Sequence, residues 1–183
     1  MQNKSIFSIT LVALFSALVF IGTTLKIPLP TGAFVHLGNA MFLLAVLLLD
    51  YTKGALAGSI GFALFDLLNG YATEAPYFVL ECFIVAAFSY GAIRLFKEKP
   101  LKLPQLIFVG VVTGLAKLLM TQLKNFVFLL ISGADVSQAW LAASIKLPAT
   151  LINVVTTILI VSILYFPIKQ ILDKQNFVTF SHK

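Results

Sequence analysis

Asp66, Glu81 and Lys117 each stand inside a long apolar stretch of the sequence. An ionisable group at membrane depth is costly, so it turns inward to a partner or a cavity. Two chemistries fit these three. They make an internal ion pair that holds helices together, or they recognise a small polar ligand. In the second case Glu81 accepts a hydrogen bond from a hydroxyl or protonated nitrogen, and Lys117 offers charge or a donor to an oxygen. Asp66, with Asn69 three positions on, ranks below Glu81 as a ligand contact because it can equally brace the scaffold. The depths of the three fit a pocket better than a continuous pore.

Further polar residues cluster toward the ends of apolar runs. Lys124 and Lys146 either snorkel to the interface or face the same pocket. Asn153 lies two helical turns beyond Lys146 and brings both a donor and an acceptor. His36 and Asn39, just after the Pro- and Gly-rich 26–35 segment, address one patch or cap a helix. Phe34, Tyr71, Tyr77 and Trp140 lie near the same ends, as stacking partners for a planar ring or as an interfacial belt. Trp140, six residues before Lys146, is the best stacking candidate. The substrate-binding set read from the residues is therefore Glu81, Lys117, Trp140, Lys146, Asn153, His36 and Asn39.

The elements that position these groups follow from composition. The chain has 183 residues, 60% hydrophobic and only 11% charged, with 17 Phe; soluble domains average roughly 25% charged. One body of this size cannot hide so much apolar surface from water, so its solvent is lipid. Residues 1–183 read as a single transmembrane substrate-binding domain. The net charge of +6 would raise nucleic acid in a soluble protein. Here the basic residues form no dense face and fall at the ends of apolar runs, which is membrane topology and excludes a nucleic-acid partner.

Six apolar runs are expected to form an all-α bundle: Ile6–Leu25, His36–Leu49, Lys53–Leu68, Pro76–Phe96, Pro104–Ile131 and Leu141–Ile168. The second and third are short and are separated only by Asp50 to Lys53. Met1–Lys4 imitates the start of a signal peptide, but the first run is long enough to span and leads into further runs without a cleavage site. With both termini cytoplasmic, Lys4, Lys53, Arg94, Lys97, Lys99, Lys102, Lys169, Lys174 and Lys183 lie inside and Lys26 outside, which satisfies the positive-inside rule. Gly54/Gly58 with Gly61, Gly110/Gly114 and Ala13/Ala17 each put small residues on one helix face, for packing within the chain or against a partner.

Signatures of catalysis are missing. Cys82 has no partner for a disulfide, and His36 and His182 make no metal-ligand cluster. There is no H-E-x-x-H, G-x-S-x-G or G-x-x-x-x-G-K-[ST] sequence, so a non-catalytic chain is expected and ATP-driven transport needs another subunit.

The blocks A13-L-F-S-A17, V35-H-L-G-N39 and G54-A-L-A-G-S-I-G-F-A-L-F-D-L-L-N-G-Y71, in this order in so small a protein, resemble the membrane-embedded S component of energy-coupling factor vitamin transporters. The resemblance covers most of the chain. It implies a multi-pass protein of a bacterial or archaeal plasma membrane that captures a water-soluble vitamin or precursor from outside. It implies as partners a transmembrane coupling subunit and two ATPases, which hold the ATP and Mg2+, and a toppling motion that delivers the ligand. Ala13 and Ala17 would match the face that docks on the coupling subunit, and the Lys26–Val35 and Ser132–Leu141 connections would gate the pocket. Ligand contacts would lie near the outer ends of the last three helices.

Pyridoxine-like and hydroxymethylpyrimidine-like substrates suit one carboxylate, several donors and aromatic walls, with pantothenate and riboflavin as alternatives. Residue chemistry also leaves a standalone secondary transporter open, motivated by Asp66, Glu81 and Lys117, and a membrane assembly protein built on the glycine and alanine faces.

Overall fold

A computed structural model describes residues 4–96 and 100–174; His182, Lys183, Lys97 and Lys99 lie outside the described residues. The order is α1 (Lys4–Thr24), β1 (Lys26–Pro28), β2 (Phe34–His36), α2 (Gly38–Leu49), α3 (Tyr51–Leu68), α4 (Ala75–Arg94), α5 (Leu103–Ile131), α6 (Val136–Ser144) and α7 (Leu147–Lys174). The result is an almost all-α bundle. α3 packs against α1, α2 and α4; α5 packs against α4, α6 and α7; and α2 meets α7, which closes the ring.

Among the described residues, four segments are long and apolar enough to cross a membrane: Ser5–Thr24, Ala75–Arg94, Leu103–Ile131 and Val136–Lys174. The other two of the six expected helices are different in kind. α2 has 12 residues, about 18 Å at 1.5 Å per residue, against a hydrocarbon core of about 30 Å. Its Leu43, Leu44 and Ala45 are wholly enclosed, so it serves as core rather than as lipid-facing wall. α3 is diluted by Lys53, Asp66 and three glycines and is largely wrapped by its neighbours. A single residue, Asp50, joins the two at φ 83°, its carboxylate accepting from the Tyr51 N–H.

Two expectations need correction. The run Leu141–Ile168 is not one helix. α6 ends at Ser144 and α7 begins at Leu147, because Pro148 has no N–H to continue the earlier helix and suits the first turn of a new one. Asp135 caps α6, accepting from the Ser137 N–H and hydroxyl, and those bonds hold its pKa below the usual carboxylate range. Second, His36 does not open a helix. The 26–36 segment is an antiparallel hairpin pairing Lys26 with His36 and Pro28 with Phe34, and α2 starts only at Gly38.

Tight helix packing rests on the glycines. A Cβ at Gly54 would lie 2.5 Å from Val46 Cα, one at Gly61 2.6 Å from the Ser16 carbonyl oxygen, and one at Gly114 2.3 Å from a Val154 methyl. These positions bring α3 onto α2 and α1, and α5 onto α7. Ala13 and Ala17, by contrast, point out of the bundle.

Candidate functional site

The last turn of α1, the hairpin, the end of α3, the start of α4, the second half of α5 and the start of α7 converge on one cavity of about 170 Å³. Its walls are aromatic, from Phe34, Phe62, Phe65, Tyr71, Tyr77 and Phe78, and its polar groups include four lysines and three carboxylates.

Two of those carboxylates and two of those lysines form a ladder between α4 and α5. Glu81 pairs with Lys117 at 2.5 Å and Glu74 pairs with Lys124. The partners are spaced two turns apart on each helix and the helices run antiparallel, so the rungs fall in register. Glu81 is 1% exposed, and Tyr77 Oη lies 3.3 Å from it while donating to the Met120 carbonyl at 2.7 Å. The Lys117 ammonium sits 5.4 Å from the rings of Phe62 and Phe78, and that of Lys124 is 4.7 Å from Phe78. Cation–π attraction and the ion pairs together offset the cost of removing these charges from water.

The hairpin covers this chamber. Lys26 reaches back over three rings, 4.6 Å from Phe34, 4.6 Å from Phe65 and 5.4 Å from Tyr71. The side-chain amide of Asn153 on α7 binds the strand as another strand would, Oδ1 accepting from the His36 N–H at 2.9 Å and Nδ2 donating to the Phe34 carbonyl at 2.8 Å. His36 Nδ1 accepts from the Gly38 N–H at 3.2 Å, which caps α2. Burial first, then the charges of Lys117 and Lys26, push the His36 pKa down to about 3, so its ring is neutral.

Six of the seven residues read as substrate-binding line the cavity: Glu81, Lys117, Lys146, Asn153, His36 and Asn39. Their free capacity differs. Glu81 and Lys117 engage each other, the Asn153 amide is committed to the hairpin, and Lys146, in the turn before α7, makes no ion pair among the described residues. Trp140 is not brought into the cavity. It lies on α6, 55% exposed, edge-on to Phe126 at 5.6 Å, because the interruption of the helix before Pro148 makes α6 a separate surface helix. Glu74 is not singled out by residue type and position, and Lys124 is equally compatible there with snorkelling. The repeated seven-residue spacing, Glu74 to Glu81 and Lys117 to Lys124, is the signal that pairs them. Cys82 is 2% exposed among apolar neighbours. Among the described residues no group of three His, Cys, Asp or Glu side chains is placed to hold a metal ion.

A multi-helix membrane bundle with an aromatic, charge-lined cavity at one end defines a small-molecule-binding membrane protein. The sequence model of the family described as ECF-type riboflavin transporter, S component, matches residues 3–170, and the chain belongs to that family. Comparison with curated proteins and with solved structures gives no match. Members of the family are non-catalytic, multi-pass membrane subunits that capture a vitamin for uptake by an energy-coupling factor complex, in which they generally work with a coupling subunit and two ATPases.

Proposed function

We propose that this chain captures riboflavin and delivers it to a coupling subunit and two ATPases, whose ATP and Mg2+ drive uptake. The observation that carries this reading is the riboflavin-transporter family match across residues 3–170. It favours the riboflavin alternative over the pyridoxine-like and hydroxymethylpyrimidine-like compounds that the residues alone favour. The lining is compatible with it: aromatic rings in the cavity wall suit a flat, fused ring, and the charged groups among them suit its carbonyl edge and hydroxylated chain.

In this reading residues 1–183 act as one domain with both termini cytoplasmic. The cavity then opens outward beneath the 26–36 hairpin, which with the 132–141 connection gates it. Ala13 and Ala17 present the face that meets the coupling subunit. Lys146 supplies a hydrogen-bond donor to a ring carbonyl oxygen, and Asn39 and Asn153 border the same space.

Native mass spectrometry of the detergent-purified chain, with the released molecule identified by fragmentation, tests the assignment. One riboflavin per chain is the expected result. A retained pyridoxine, aminopyrimidine or pantothenate would overturn the flavin reading and keep the capture role, whereas riboflavin uptake by the chain alone in liposomes would make it a standalone transporter.

A further inference from the structure

Glu74 and Glu81 are each paired with a lysine; the third carboxylate of the cavity is in no ion pair among the described residues. Asp66, near the end of α3, lines the cavity and is 4% exposed. Its Oδ2 is enclosed and has no hydrogen-bond partner, and its carboxylate enters none of the ion pairs among the described residues. The residue itself is held in place, since its carbonyl accepts from the Tyr71 N–H at 2.8 Å. The charged groups that face it are Glu74, Lys124, Lys117 and Glu81. Both of those lysines are already engaged by the two glutamates.

A buried acceptor left without a donor loses more than an ordinary hydrogen bond returns, so residues that merely brace a scaffold come with partners. Asp66 comes with a cavity instead. A carboxylate accepts only, and two further carboxylates stand nearby, so the chemistry that complements Asp66 is a donor on a ligand without negative charge there.

We infer that Asp66 is the specificity-determining contact of this cavity, its carboxylate accepting a hydrogen bond from a hydroxyl or ring N–H of an uncharged ligand. The inference rests on the flavin reading, since riboflavin offers both donors: the ring N3–H and the ribityl hydroxyls.

The test measures Kd by quenching of flavin fluorescence for the full chain in detergent. Three ligands are compared: riboflavin, lumiflavin, which has a methyl in place of the ribityl chain, and 3-methylriboflavin, which lacks the ring N–H. Each is measured on wild type, Asp66→Asn and Asp66→Ala. Affinity ratios are taken within one preparation, so partial loss of folded protein does not alter them. Asp66→Ala is expected to weaken riboflavin binding roughly tenfold to hundredfold, with Asp66→Asn between it and wild type. The analogue that lacks the relevant donor is expected to bind wild type weakly and to lose nothing further in either variant, and its identity tells hydroxyl from N–H. Riboflavin binding with identical ligand ratios in all three proteins overturns the contact alone. A wild-type chain that binds none of the three flavins overturns the flavin reading and the contact with it.

Discussion

Asn153 and His36 are 117 positions apart in sequence, yet the side-chain oxygen of the first accepts from the backbone N–H of the second at 2.9 Å. With the companion bond to the Phe34 carbonyl, one amide fixes the cover of the cavity to α7. Replacing Asn153 by Ala leaves both backbone groups unpaired, at about 1–3 kcal/mol for each where it stays buried. Hydrogen exchange at the His36 amide should accelerate at least roughly tenfold, while exchange in α4 and α5 stays as it was. Unchanged exchange at His36 would mean that the strand holds itself in place.

The Glu81–Lys117 rung predicts a different pattern. Removing one partner of a buried ion pair strands the other, at about 3–5 kcal/mol, whereas replacing both with neutral groups of similar shape is far milder. Glu81→Gln and Lys117→Met should each lower the midpoint of thermal unfolding in detergent, and the double variant should recover most of the loss. Additive losses would show that the two side chains act independently.

Glu81 and Lys117 also show what the sequence makes legible. Length and apolarity locate three of the long helices to within a few residues, Pro104–Ile131 being observed as Leu103–Ile131, Ile6–Leu25 as Lys4–Thr24 and Pro76–Phe96 as Ala75–Arg94, but they miss the break before Pro148 and place the last helix six residues early. A charge inside such a run announces an inward group, so residue type and position suffice to pick out Glu81 and Lys117 as cavity-facing. That they pair with each other is not legible, because pairing depends on the register of two antiparallel helices. The hairpin escapes the sequence for the same reason, since its strands of 3 residues are held by an amide from the far end of the chain. That Asp66 is left out of the ion pairs is likewise set by packing: nothing in its spacing distinguishes a paired carboxylate from an unpaired one.

Lys146 and Trp140, six residues apart, should separate cleanly in binding. The lysine lines the cavity, and the tryptophan lies on the outer face of α6. Lys146→Ala should weaken riboflavin binding about tenfold or more through loss of a charged donor, and Trp140→Ala should leave Kd within about twofold, as surface substitutions generally do. Titration by flavin fluorescence reads both. A large loss with Trp140→Ala would place α6 over the ligand in the bound state.

Small residues occur in this chain on inward and outward faces, and the two sets should fail in different ways. At Gly61 a Cβ would meet the Ser16 carbonyl oxygen and Val19 Cβ, each at 2.6 Å, and backbone cannot step aside. Gly61→Val should therefore force α1 off α3, costing more than the roughly 1–3 kcal/mol of ordinary overpacking, and should abolish folding and binding together. Ala13 and Ala17 meet no such wall, because both lie exposed on α1. The double variant Ala13→Leu/Ala17→Leu should fold and bind riboflavin with a Kd near that of wild type, yet fail to co-purify with the coupling subunit and ATPases, since bulk on this face keeps a partner backbone at a distance. Co-purification at the wild-type level would assign the docking face to another helix, and equal loss of binding and assembly would show that the alanines serve the fold.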